Sequence, residues 1–305
     1  MTATDRPDGA VPGYDWLTLA CLLATGGFLG LSTNLAKLGA GAGVPALPFL
    51  AWSVTGAAVV LLTRTAMTLG LPALTWRTAE YFVAAGFVTF AAPNLILFAA
   101  VPHVGAGFAA LVLAFPPLFT YVGALLLGIE KFDPARALGV ALALAGAGVL
   151  AVYKFAAPDA ATGWIASTLA VPILLAIGNL YRTLRWPPGA SADQLAPGML
   201  AACAVMLLGF GVVTGTPLDF QGSGTIQSYV VIAVQAAAFA IMYVIYFVLQ
   251  KRGGPVYLSL IGSVAAVVGV PLAVLLLGET WPSGIVVAAG LIGAGIWLVT
   301  GIRRR

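Results

Sequence analysis

The chain has 305 residues, of which 61% are hydrophobic and 8% are charged, and its formal net charge is +4. Soluble globular domains carry about 25% charged residues, so this chain has too few charges to cover a surface that faces water. The composition therefore excludes a soluble enzyme and a disordered protein. It also excludes a nucleic-acid-binding protein, because the Lys and Arg residues lie singly between apolar blocks and form no basic face.

Ten apolar segments are long enough to cross a membrane as helices, since about 20 apolar residues span the hydrocarbon layer. Their apolar runs are continuous and lack the alternation of a transmembrane β-barrel. They leave only short loops and tails, so no soluble domain is expected. The predicted spans are Tyr14–Lys37, Val44–Arg64, Thr78–Val101, His103–Gly128, Arg136–Tyr153, Gly163–Arg182, Gln194–Thr214, Ile226–Gln250, Pro255–Gly278 and Trp281–Gly301.

Basic residues are distributed unevenly between the two sides of this arrangement. Of the 14 Lys and Arg residues, 12 lie on the side of the N-terminus, and only Lys37 and Lys154 lie on the other side. Loops rich in Lys and Arg remain in the cytoplasm. We therefore expect a multi-pass protein of the inner (plasma) membrane with both termini in the cytoplasm.

Two short motifs recur in both halves of the chain. The run Leu125–Glu130 returns as Leu275–Glu279, and the pattern Asn34–Lys37 returns as Asn179–Arg182, at offsets of 150 and 145 residues. Similar offsets at both ends of a five-helix unit predict a duplication. Because each unit has an odd number of helices, the second unit is inverted in the membrane, as in many transporters. The expected division is a tail over 1–13, repeat 1 over 14–156, repeat 2 over 157–302 and a basic tail over 303–305.

The chain resembles the EamA-type ten-helix transporters of the drug/metabolite transporter superfamily. The likeness lies in the five-plus-five layout, in the Asn-x-x-Lys/Arg end of the first helix of each half, and in the run from Pro117 to Gly128 with its trailing Glu130. Within the superfamily the chain looks most like the YddG-type exporters of aromatic amino acids. The resemblance implies a central cavity lined by helices 1, 3, 4, 6, 8 and 9, with helices 5 and 10 packed at one edge. In the second half the corresponding proline, Pro271, lies nearer to the Leu-Leu-Leu-Gly run.

Polar side chains within apolar spans usually face the interior of a bundle or a wet cavity, because exposure to lipid costs free energy. Their amides offer donors and acceptors to a zwitterion, and their rings offer aromatic faces to a ring-bearing substrate. The expected cavity residues are Asn34, Lys37, Phe90, Asn94, Asn179, Arg182, Gln235, Tyr243 and Tyr246. Bends or close helix approaches are expected at Gly27, Gly30, Pro93, Pro117, Gly178 and Pro271.

Several of these residues also have a plainer structural explanation, which the sequence leaves open. Lys37 and Arg182 lie near helix ends, where either side chain could extend its charge to the membrane interface. Asn94 and Asn179 also suit hydrogen bonds between neighbouring helices. The small-residue spacing around Gly139 fits close packing within one chain or between the two copies of a homodimer.

The sequence predicts a secondary transporter or facilitator that exports small metabolites, with amino acids, aromatic ones included, as the favoured cargo. Alternating access around a cavity between the two repeats is the expected mechanism. The same architecture carrying a nucleoside, a sugar phosphate or a drug is the main alternative. An intramembrane enzyme or a structural subunit is disfavoured, because the spans lack a carboxylate or His pair and the loops are short. The expected partners are a small-molecule substrate and the lipid bilayer, with no cofactor, no metal and no nucleic acid.

Overall fold

The computed structural model describes residues 16–68, 70, 74–97, 100, 112, 115–152, 162–219, 226–278 and 284–301. Within these ranges the regular secondary structure is helical, and no strand occurs. The helices are α1 (Trp16–Gly41), α2 (Ala46–Thr68), α3 (Trp76–Leu97), α4 (Pro116–Leu126), α5 (Pro134–Val152), α6 (Thr162–Leu184), α7 (Ala192–Thr214), α8 (Ile226–Ser259), α9 (Ile261–Leu277) and α10 (Ile285–Gly301).

The outer surface of the bundle is apolar. Six of the described helices, α1, α2, α3, α6, α7 and α8, are long and apolar enough to cross a membrane, and the others contain shorter apolar stretches. Large side chains such as Val213 and Val286 are more than four-fifths exposed, at 86% and 81%. Soluble monomers rarely expose extended apolar patches, so lipid must cover this surface. The expectation of an all-helical membrane protein is confirmed at this level, whereas the ten-span count and the side of the termini stay predictions.

The third helix contains a local change of winding. Thr75 caps its start, since the Thr75 hydroxyl accepts from the Thr78 N–H and the Thr78 hydroxyl accepts from the Thr75 N–H at 2.8 Å. Residues Phe87–Ala91 then form a π-helical turn, and the Ala92 N–H donates to the Phe87 carbonyl. Pro93, which has no N–H to donate, follows directly. The irregularity expected at Pro93 therefore takes the form of a π-turn, a feature frequent at functional sites.

Helix contacts recur between the two halves of the chain. α1 packs against α9 and α6 packs against α4, while α2 packs against α7 and α5 packs against α10. If α1–α5 correspond in order to α6–α10, the α1–α9 contact corresponds to the α6–α4 contact. Under the same correspondence, the α2–α7 contact and the α5–α10 contact each correspond to themselves.

Glycines permit the closest of these contacts. A Cβ atom on Gly30 would lie 2.9 Å from both the Ala265 carbonyl oxygen and the Gly269 nitrogen of α9, so only glycine fits there. Gly178 of α6 packs in the same way against Thr89 of the π-turn. Gly27 has no atom within 4 Å of such a Cβ, so it supports no close approach in this structure.

The small-residue faces of α5 and α10 pack against each other within one chain. A Cβ atom on Gly139 would lie 2.8 Å from the Gly295 carbonyl oxygen, and one on Gly295 would lie 2.8 Å from the Ala143 nitrogen. Of the two explanations left open by the sequence, intrachain packing accounts for Gly139. Gly290, which has open space around it, takes no part in this contact.

The boundary between the predicted eighth and ninth spans is a backbone break. Gly254 has φ 76° and ψ −178°, a conformation that only glycine adopts at low cost. The helical winding resumes at Pro255 and continues to Ser259, before α9 begins at Ile261. The break thus lies at the predicted position, but α8 extends past it.

Two of the prolines at which a bend was expected lie in α4 and α9. Pro116 and Pro117 occupy the first turn of α4, where their missing N–H groups interrupt no helical hydrogen bond. The bend expected at Pro117 stays a prediction, because most of the residues before Phe115 in this span lie outside the described ranges. α9 continues as a helix through Pro271. The predicted start of the fourth span, residues 103–111, lies outside the described residues.

Candidate substrate-binding site

One face of α8 carries a mixed polar and aromatic stripe along its length. Its residues recur at intervals of three or four, which places them on the same side of a helix. The stripe is about 22 Å long, at the usual rise of 1.5 Å per residue. Its members are buried, apart from the half-buried Tyr246, and are Gln235, Phe239, Tyr243, Tyr246 and Gln250.

The middle of the stripe is an aromatic cluster that includes a ring from α3. The Phe90 ring centroid lies 5.5 Å from that of Phe239 and 5.7 Å from that of Tyr243, in edge-to-face geometry. The ring of Tyr246 lies 5.4 Å from that of Tyr243. Phe90 comes directly before Ala91, the last residue of the π-turn, so the irregular segment of α3 forms one wall of this cluster.

At one end of the stripe, Arg182 of α6 is fully buried. Its Nη2 donates to Asn179 Oδ1 at 2.8 Å and to the Tyr246 hydroxyl, and its Nε donates to Gln250 Oε1 at 3.4 Å. Its Cζ atom lies 4.7 Å from the centroid of the Tyr246 ring, a cation–π distance. We call Asn179, Arg182, Thr183, Tyr246 and Gln250 the Arg182 cluster.

Further hydrogen bonds hold the cluster in place. Gln250 Nε2 donates to the Thr183 hydroxyl at 2.6 Å and to the Asn179 carbonyl at 3.3 Å. Asn179 Nδ2 donates to the Thr120 hydroxyl of α4 at 3.4 Å. Side chains from α4, α6 and α8 therefore fix the position of the guanidinium before any ligand arrives.

The positive charge of Arg182 has no carboxylate partner among the described residues. The described ion pairs are Arg64–Asp193, Arg136–Glu130 and Arg185–Glu80. Arg182 Nη1 is buried and makes no hydrogen bond. A charge taken out of water without an opposite charge costs several kcal/mol. An opposite charge placed there would offset part of this cost.

The other end of the stripe presents uncharged acceptors. Gln235 Nε2 donates to the Ser32 hydroxyl of α1 at 2.8 Å. Asn34 Nδ2 donates to the carbonyls of Gly30 at 2.8 Å and Gly269 at 3.0 Å. The amide oxygens of Gln235 and Asn34 are buried and have no hydrogen-bond partner. This end therefore differs from the Arg182 end in both charge and polarity.

The structure brings together five of the nine residues expected to line a cavity: Phe90, Asn179, Arg182, Tyr243 and Tyr246. Gln235 lies at the far end of the stripe and bonds to Ser32, whereas Asn34 bonds to the Gly269 carbonyl of α9. The half-buried Asn94 donates to the Phe90 carbonyl of its own helix at 2.7 Å. Interface extension, which the sequence left open for Arg182, is wrong, because the side chain has no exposed surface.

Lys37 does not join Arg182, although the two residues hold matching positions in the repeated motif. Lys37 is exposed. It lies about 28 Å along α1 from Thr18 at the usual helical rise. The Thr18 hydroxyl accepts from Arg252, two residues beyond Gln250 of the Arg182 cluster. The two cations are thus at opposite ends of the bundle.

Three members of the stripe and the Arg182 cluster were missed in the sequence: Phe239, Thr183 and Gln250. Gln250 ends the predicted eighth span, four residues after Tyr246, and Phe239 lies four residues before Tyr243. The helical period of the stripe could have identified both. Thr183 enters the cluster through its contact with Gln250 of another helix, which the sequence does not reveal.

Comparison with known proteins gives a likeness of fold. No family model matches the chain, and no curated protein matches it. A solved structure described only as "Crystal structure of protein" is similar over 96% of this chain and 99% of that chain, with a TM-score of 0.76 and 18% sequence identity. At that identity the likeness extends to the fold alone.

Proposed function

We propose that the chain is a secondary transporter or facilitator that moves small metabolites across a membrane by alternating access. Amino acids, aromatic ones among them, are its favoured cargo. The observation that carries this proposal is the polar and aromatic stripe of α8 in the interior of an apolar bundle. Side chains of α1 and α3 from the first half and of α6 from the second half meet that stripe.

The cost of burying these groups supports a role in binding. Ionisable side chains inside membrane proteins are rare and mark substrate or ion pathways. Arg182 is the only buried cation among the described Lys and Arg residues. Aliphatic side chains would pack the same volume without a desolvation penalty. A purely structural role therefore does not explain why a charged residue occupies this position.

The recurring helix contacts support two inverted five-helix repeats. A two-fold relation between α1–α5 and α6–α10 makes α6 the counterpart of α1, and α4 the counterpart of α9. The contact of α1 with α9 then requires a matching contact of α6 with α4, and both contacts occur. Inverted repeats give a carrier two related states, open to opposite sides of the membrane. The substrate would lie between the repeats, where residues of both contact the α8 stripe.

The charge of the site favours a monocarboxylate over a phosphorylated cargo. A phosphate dianion needs several cations drawn from different helices. Only Arg182 fits that description among the described residues, since Lys37 is exposed. Amino acids and related monocarboxylates match a single guanidinium bordered by aromatic rings.

The proposal is tested by uptake of a panel of labelled amino acids into liposomes that hold the purified protein, with and without a pH gradient. We expect saturable uptake of neutral and aromatic amino acids, unchanged by the gradient, because no Asp or Glu lies in the middle of a span. Protein-free liposomes give the background. Uptake no faster than that background for every amino acid would remove the cargo proposal.

A further inference from the structure

We propose that Arg182 binds the carboxylate of the substrate, that the adjoining rings bind its aromatic part, and that an ammonium group on the substrate is dispensable. The substrate class is thus aromatic monocarboxylates, of which aromatic amino acids are one kind. This inference rests on the proposed transport function and specifies what its site recognises.

The first step concerns the charge of the site. Arg182 donates to an amide oxygen of Asn179, an amide oxygen of Gln250 and the Tyr246 hydroxyl, all of which are neutral. Neutral acceptors orient the guanidinium but leave its charge uncompensated. Its Nη1 is buried and makes no hydrogen bond. A carboxylate supplies the missing negative charge together with an acceptor for this donor.

The second step concerns the ring. Tyr246 contacts the guanidinium with its ring and its hydroxyl, and Tyr243 and Phe90 extend the aromatic surface away from it. Aromatic pairs in edge-to-face or offset geometry are favourable beyond the area they bury. A carboxylate held on Arg182 therefore directs the rest of a short acid towards an aromatic wall.

The third step concerns the ammonium group of an amino acid. The amide oxygens of Asn179 and Gln250 already accept from Arg182, and no described carboxylate joins the cluster. The unpartnered oxygen of Gln235 lies at the other end of the stripe, about 16 Å along α8 from Tyr246 and about 22 Å from Gln250. An ammonium group beside Arg182 also experiences repulsion between like charges. The described residues therefore offer the carboxylate a charged partner, whereas they offer the ammonium group only neutral acceptors and ring faces.

The test is ligand binding to the purified full-length protein in detergent, measured by isothermal titration calorimetry. Four ligands separate the two charged groups: L-phenylalanine, 3-phenylpropionate, 3-phenylpropionamide and phenethylamine. We expect the two carboxylates to bind, and the amide and the amine to bind about tenfold more weakly or worse, as for the loss of a hydrogen bond to a charged group. Binding of the amide or the amine as tight as that of 3-phenylpropionate would overturn the proposal.

Two variants locate the effect on Arg182. Arg182→Gln should abolish the preference for 3-phenylpropionate over its amide. Arg185→Gln should retain the preference, because Arg185 is exposed and paired with Glu80 at 3.4 Å. A preference that survives in a folded Arg182→Gln protein would overturn the assignment. If that variant does not fold, the comparison of acid with amide on the wild-type protein still decides whether the carboxylate is recognised.

Binding and transport fail in different ways, so the two proposals can be told apart. If the protein binds carboxylates selectively but carries no flux in liposomes, the transport proposal is contradicted and the anion-site proposal stands. If phenethylamine crosses at the same rate as phenylalanine, the transport proposal stands and the anion-site proposal is overturned.

Discussion

Burying a guanidinium without a carboxylate partner adds a desolvation penalty to the free energy of the folded state. Arg182 has no exposed surface, and its hydrogen-bond partners are neutral. A bound anion would relieve that penalty, which is the basis of the proposed carboxylate site. Under the same proposal the aromatic neighbours select which anions fit.

The sequence identified Arg182 as a candidate, but it could not separate this residue from Lys37. Both follow an asparagine by three positions at the end of the first helix of a half. The difference arises from neighbouring helices: Arg182 meets Gln250 and Tyr246 of α8, whereas Lys37 is exposed. Tertiary contacts of this kind leave no local signature at either position.

Replacing Tyr243 tests the aromatic wall. Tyr243→Leu keeps an apolar side chain but removes the ring that faces Phe90 and Tyr246. We expect the KM for phenylalanine uptake to rise about two- to tenfold, as for the loss of an aromatic pair. Initial rates of uptake into liposomes measure the change. Phe210→Leu, on the exposed side of α7, is the matched control, and an equal KM increase in both variants would contradict a local role for Tyr243.

Among the elements, α1 and α8 show how backbone properties position the site. α1 approaches α9 closely at Gly30, which keeps the amide of Asn34 within 3.0 Å of the Gly269 carbonyl. α8 continues for 34 residues and is interrupted at Gly254. The length and apolar composition of the two segments predicted both helices, because these properties depend on local sequence alone. How closely each helix approaches its neighbour depends on which of its glycines face that neighbour, and the sequence does not reveal this.

A matched pair of glycine variants in α1 tests the close approach to α9. Gly30→Ala places a methyl group 2.9 Å from backbone atoms of α9, whereas the same change at Gly27 meets open space. Overpacking costs about 1–3 kcal/mol, and Gly→Ala within a helix gains up to about 1 kcal/mol. We expect a lower Tm for Gly30→Ala and an unchanged or higher Tm for Gly27→Ala. Thermal unfolding in detergent measures both, and equal Tm losses would show that the contact with α9 is not decisive.

The break in α8 is tested at Gly254. Its φ of 76° with ψ of −178° is open to glycine and strained for other residues, at a cost of about 1–3 kcal/mol. Gly254→Ala should therefore lower the Tm. Gly290→Ala in α10, a helical glycine with open space around it, should not. A Tm for Gly254→Ala as high as that of the wild type would contradict a requirement for glycine at the break.

At the scale of the whole molecule, several contacts of charged side chains in the described ranges lie at one end of the bundle. Arg64 pairs with Asp193 at the junction of α2 and α7, and Arg185 pairs with Glu80 near the start of α3. Lys251 lies over the Trp186 ring at 5.8 Å. The positive-inside rule assigns this end to the cytoplasm, and Lys37 to the opposite side. Hydropathy thus predicted the apolar helices of the chain but not the contacts between them, because it reports exposure to solvent or lipid, and the orientation stays a prediction from the charges.

Cysteine labelling tests the orientation in the membrane. Arg185→Cys and Lys37→Cys each place a thiol at an exposed position, while the native Cys21 and Cys203 are buried. In intact cells, a thiol reagent that cannot cross the membrane should label Lys37→Cys and leave Arg185→Cys unlabelled. In inside-out vesicles the pattern should reverse. Labelling of Arg185→Cys in intact cells would place this end outside and contradict the predicted topology.

The most direct measurement is counterflow of labelled L-phenylalanine into liposomes preloaded with unlabelled 3-phenylpropionate, using the wild-type protein, Arg182→Gln and Arg185→Gln. Counterflow requires one site that carries both compounds in both directions. We expect it with the wild type and with Arg185→Gln, and a loss of about tenfold or more with Arg182→Gln. Counterflow absent from the wild type, or undiminished in Arg182→Gln, would contradict a carrier whose buried arginine recognises carboxylates.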